Sequence, residues 1–66
     1  MNYNLLWQYI ANQNKNELKL TNSEIEQILG SKLNHGFLNH KKELEGYGYK
    51  VKKISLKENC VIFVRL

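Results

Sequence analysis

Proline is absent from this sequence, and cysteine occurs once, as Cys60. A lone cysteine excludes an intramolecular disulfide, and with two histidines it falls short of a closed zinc site. Arginine is scarce too. Arg65 is the sole arginine among ten basic residues, so lysine carries the positive charge. Lysine is a good point charge toward phosphate but lacks the planar fork that reads guanine edges. No apolar run approaches the ~20 residues of a membrane-spanning helix. The start MNYNLLWQY has neither the basic n-region nor the cleavage site of a secretory signal. Together with a free thiol, this sets the expectation of a reducing cytoplasm. Four glycines, no proline and no low-complexity tract argue against disorder.

What is present fits one small domain, 1–66. The chain has 66 residues, 42% of them hydrophobic. Below about 70–80 residues a single core supplies only a few kcal/mol, so packing must be economical or a partner subunit must help. An enclosed active-site cleft is not expected at this size. The net charge of +4 suits an anionic partner, nucleic acid before acidic protein.

Tyr3, Leu6, Trp7 and Ile10 fall at i, i+3, i+4 and i+7, which predicts an amphipathic helix over 3–13. Residues 17–20 alternate briefly and make at best a short strand. Thr21-Asn22-Ser23-Glu24 is a capping box, and Ile25, Ile28 and Leu29 form the stripe that follows it. Gly30 supplies the left-handed stop, so the second helix spans about 22–29. Asn34 is a candidate N-cap for a third helix over about 34–45, with Leu33 and Leu38 as its hydrophobic staple. Phe37 and Leu44 should face the core, on a stripe shared with Lys41. Gly46 and Gly48 end the helix. Residues 49–66 read as a hairpin, with a turn at Lys57-Glu58-Asn59. Val51 and Ile54 are three apart, which predicts a bulge near Lys52-Lys53. On the last strand Val61 and Phe63 share one face, and Ile62 and Val64 the other. One pair must face the helices. The other lies under Trp7 and the N-terminal residues or stays exposed for association.

This order resembles the winged helix-turn-helix family. Leu20-Thr21-Asn22-Ser23-Glu24-Ile25-Glu26-Gln27-Ile28-Leu29-Gly30 is similar to that family's second helix and turn. Phe37 to Leu44, followed by Gly46-Tyr47-Gly48-Tyr49, is similar to its recognition helix running into the wing. The Tyr47–Val51 and Val61–Arg65 segments also resemble a small uncharacterised bacterial domain, which brings no chemistry with it. The winged-helix resemblance implies an α+β fold of three helices, a short strand and a C-terminal β-hairpin. It implies a duplex-DNA-binding protein, a transcriptional regulator whose third helix enters the major groove.

On that reading His35, Asn39 and His40 contact bases, with Asn39 able to bond bidentately to adenine. Lys32 and Lys42 take phosphates at the helix, and Lys50, Lys52, Lys53 and Lys57 take them from the wing. Three or four phosphate contacts per monomer would give a salt slope of about −3 to −4. A homodimer would read two half-sites and would support a core this small.

Each feature also has a plainer reading. Asn39 and His40 on a helix face can simply be solvated, and a lysine-rich strand can serve to blunt a sheet edge. Trp7 and Tyr47 are expected as packing residues, whereas Tyr49 has the weakest claim to burial. Cys60 at the start of the last strand reads as an inert small hydrophobe, not as a metal ligand beside His35 and His40. Glu24 with Glu26, and Glu43 with Glu45, are i, i+2 pairs on different faces and make no catalytic pair. No nucleophile sits near a base. The chain is therefore read as a non-enzyme with no cofactor, no metal and no membrane partner.

The alternative is a protein-interaction module on the same fold. It would be of the kind found on mobile elements, for example an inhibitor of a host nuclease. Its motives are Glu43 and Glu45 on the would-be recognition helix and the spare apolar pair Ile62 and Val64. An RNA-binding module ranks third. It would need exposed aromatics for stacking, and at least one of Tyr47 and Tyr49 should be buried.

Overall fold

Local signals set the first half of the chain. The computed structural model describes residues 3–33 and 36–66. Helix α1 spans Asn4–Gln13 and buries Leu6, Trp7 and Ile10, with Tyr3 buried just before it. Asn14 closes it in the left-handed region at φ 53°, its N–H donating to the Ala11 carbonyl. Asn tolerates that conformation better than other non-glycine residues. Strand β1 (Glu17–Thr21) leads directly into helix α2 (Asn22–Leu29).

Thr21 ends the strand and caps the helix. Its hydroxyl accepts from the Glu24 N–H at 3.1 Å, and the Glu24 carboxylate accepts from the Thr21 N–H at 2.9 Å. This is the reciprocal capping box. Gly30 closes α2 at φ 75°, with its N–H on the Glu26 carbonyl. The Glu26 carboxylate then accepts from the Leu33 N–H at 2.9 Å, which fastens the connection to the next helix.

Helix three departs from expectation. In place of one α-helix over about 34–45, the described residues form a short helix α3 (Gly36–His40) followed by a 3-10 helix (Lys41–Tyr47). Residues three apart eclipse in 3-10 geometry. His40 and Glu43 do so, with Nδ1 and Oε2 2.8 Å apart. Phe37 and Leu44 face the core as expected. Asn34 lies outside the described residues. Leu38 does not act as a buried staple: it is 48% exposed.

Strands β2 (Tyr49–Ser55) and β3 (Cys60–Arg65) form the hairpin. Strand β1 joins it, giving an antiparallel three-stranded sheet in the order β1-β3-β2. Sheet and helices make an α+β fold. The expected bulge is present: Val51 pairs with Phe63 and Lys53 with Ile62, so Lys52 is the extra residue. The bulge resets the alternation, which brings both Val51 and Ile54 opposite the inward residues Phe63 and Val61.

Val61 and Phe63 thus face the helices and meet α1, α2 and the helix-three segment in one core. An aromatic cluster sits at its centre, with ring centroids 5.8 Å apart for Tyr3–Trp7 and 6.0 Å for Trp7–Phe37. Cys60 is buried and free. Ile62 and Val64 point to the sheet's outer face and are half-buried. Trp7 is on the other side of the sheet, so nothing from α1 covers this pair. Instead the Lys52 ammonium reaches over β3 to the Glu17 carboxylate at 3.2 Å. A lysine stem laid along apolar surface shields it while the charged head stays wet.

Tyr49 is the main surprise of burial, at 4% exposure, whereas Tyr47 is 37% exposed. The Tyr49 hydroxyl donates to the Lys15 carbonyl and accepts from the Arg65 guanidinium at 3.2 Å. Arg65 also donates to Asn14 Oδ1 at 2.8 Å. The end of the last strand thereby fixes the loop between α1 and β1.

Candidate nucleic-acid interface

The candidate residues divide between two layers of the fold. Asn39 lies on α3 and Lys42 on the 3-10 helix, and both are exposed. Lys32 is exposed in the connection before α3, and Lys57 is exposed in the hairpin turn. That turn is held against the start of α2, where the Asn22 N–H donates to the Asn59 carbonyl at 2.8 Å.

These segments border one open groove of about 540 Å³ between α2, α3 and the hairpin. Among the described residues its apolar walls are Leu33, Phe37, Leu38, Ile54, Leu56 and Val61, with Asn22 and Glu26 as polar neighbours. Lys32, Asn39 and Lys57 each adjoin one of those apolar residues in the chain, on the segments that border the groove. Leu56 is 84% exposed and Ile54 37%.

Lys50 and Lys53 are exposed elsewhere. They pair with Val64 and Ile62 and so belong to the sheet's outer face. Lys52 is on that face too, tied to Glu17. Lys32, Asn39 and Lys57 thus sit exposed on the segments that border the groove, whereas the three β2 lysines belong to the opposite layer. Lys32, Lys42, Lys50, Lys53 and Lys57 form no ion pair among the described residues.

His35 lies outside the described residues. His40 is half-buried, with its ring 5.6 Å from that of Tyr3 and its Nδ1 engaged with Glu43. The other oxygen of the Glu43 carboxylate accepts from the Trp7 indole N–H at 3.2 Å. The hydrogen bonds from His40 and then Trp7 hold the Glu43 carboxyl below its ordinary value. Glu43 is thus an internal tie of the helix layer, while Glu45 stays exposed.

Two features escape the sequence reading. Lys41 belongs to the expected core stripe, yet it is exposed and forms no ion pair among the described residues. The groove is the other. Its signal is faint: Leu38 and Leu56 are large apolar residues beside polar neighbours, one inside the predicted third helix and the other just before the predicted turn.

Among the described residues no helix is long and apolar enough to cross a membrane. No family model matches the chain, and no curated protein or solved structure matches it either.

Proposed function

We propose that the chain is a small duplex-DNA-binding protein of winged-helix type, with the helix-three segment as the major-groove element and the hairpin as the wing. The observation that carries this reading is the order of elements combined with the sheet order β1-β3-β2. This order sets α3 and the hairpin turn on either side of one groove, with Asn39 and Lys57 exposed on them, Lys32 exposed before α3 and Lys42 exposed on the 3-10 helix. Asn39 reads adenine, and the lysines take phosphates. A regulator built this way acts as a dimer on two half-sites.

The test is selection from a random duplex library by the purified protein, repeated across salt concentrations beside a sizing measurement. An enriched, two-fold symmetric motif with a slope of about −3 to −4 per monomer is expected. Absence of binding at low salt refutes the reading.

A second reading, a protein-docking module, is favoured by one observation. Leu38, Ile54 and Leu56 are exposed where the recognition helix meets the wing. Phosphates have no use for such side chains, and Glu45 on the same segment repels them.

A further inference from the structure

We propose that the groove between α2, α3 and the hairpin docks an acidic amphipathic helix of a partner protein. This inference rests on the protein-docking reading and deepens it. The groove is open and apolar, with Leu38 and Leu56 exposed on its two sides. Small-molecule sites enclose most of the ligand's surface and aim a few free polar groups at it, and this groove does not enclose. Here the polar neighbours are Asn22 and Glu26, and the Glu26 carboxylate is already engaged by the Leu33 N–H. An apolar trough with a charged margin instead fits a helix that inserts side chains at i, i+3, i+4 and i+7.

The charge of the partner follows from the margin. Lys32 and Lys57 each adjoin a wall residue in the chain, and Lys41 and Lys42 lie three and four positions after Leu38, all four of them exposed. None of the four is ion-paired among the described residues, and Glu26 is the one acidic residue of the walls. A second copy of this chain, also at +4, would be repelled. Carboxylates flanking an apolar stripe would be drawn in.

The probe is a fluorescent helical peptide of about 14 residues, four turns, with leucines at the spacing above and glutamates on the flanks. A second peptide replaces every glutamate with lysine. Binding is followed by anisotropy, and the contact surface by amide shifts of the protein. The glutamate peptide should bind, should weaken as salt rises, and should shift Leu38 and Leu56. Leu56→Asp, at a position 84% exposed, should weaken binding about tenfold with an unchanged melting curve. Lys57→Glu should weaken it about threefold or more and flatten the salt dependence. If the lysine peptide binds the groove equally well, the acidic-partner inference falls while protein docking stands. If neither peptide shifts groove amides, both fall.

Discussion

The Glu43 carboxylate accepts a hydrogen bond from the indole N–H of Trp7, 36 positions earlier, at 3.2 Å. Its second oxygen lies 2.8 Å from His40 Nδ1. One side chain thus ties the 3-10 helix to α1 and to the end of α3. Because these bonds favour the ionised form, the carboxyl titrates below its ordinary value of about 4.5. Between the folded and unfolded values the unfolded chain binds more protons, so stability rises with pH in that window. The contribution is complete above the unfolded value and is lost as pH falls through the folded one.

Glu43→Gln keeps an acceptor for Trp7 and removes the titration. The native protein should therefore lose more stability than this variant between about pH 6 and about pH 3. Urea unfolding followed by the fluorescence of Trp7, the sole tryptophan, gives the comparison directly. Parallel acid curves for the two proteins would show that the carboxylate is not the stabilising form.

Thr21→Ala removes one arm of the capping box and leaves the Glu24 N–H without its partner. The expected cost is about 1 kcal/mol, which in a domain of this size lowers the melting temperature by about 4–8 °C. Thr21→Ser should recover most of it. If serine fails to recover it, the loss belongs to the threonine's role at the end of β1 and not to the cap.

Gly48 joins the 3-10 helix to β2 at φ 88°, and a Cβ there would meet nothing within 4 Å. The cost of Gly48→Ala is therefore backbone strain alone, about 1 kcal/mol. Gly48→Asn should cost less, since Asn14 and Asn59 already occupy positive φ in this fold. Gly46 is equally open but has no such backbone angle. Gly46→Ala should be neutral or stabilising by up to about 1 kcal/mol. Equal melting temperatures for the two alanine variants would remove the conformational argument.

How far the fold is legible in the sequence depends on how far apart the partners lie. Helix α2 is readable to its ends because Thr21, Glu24 and Gly30 act within one or two turns. The bulge at Lys52 is readable from the three-residue spacing of Val51 and Ile54. The burial of Tyr49 is not, because its hydroxyl finds the Lys15 carbonyl 34 positions away. The 3-10 segment is hidden for the same reason: Glu43 is held by Trp7 from another helix. The groove is hidden because Leu33, Leu38 and Leu56 come from three separate segments, none apolar enough to mark it. Among the candidate cations, sequence supplies the charges but not their sharing. The partnership of Lys52 with Glu17 crosses the middle strand and has no local signature.

That partnership separates lysines that are otherwise alike. Lys52 and Lys53 are adjacent and both exposed, yet only Lys52 holds a carboxylate. To reach a phosphate, Lys52 must first give up Glu17, and the contact releases less free energy. Lys53→Ala should flatten the salt slope of duplex binding by about one unit, and Lys52→Ala by clearly less. Glu17→Gln should free Lys52 and steepen the slope. Neither Lys52→Ala nor Glu17→Gln should move stability by more than about 1 kcal/mol, because the pair is exposed on both sides. Equal slopes for the two alanine variants would mean that the Lys52–Glu17 bridge opens in the complex. An unchanged slope for Lys53→Ala would take the outer sheet face out of the interface and leave the helix-three segment and the turn to carry it.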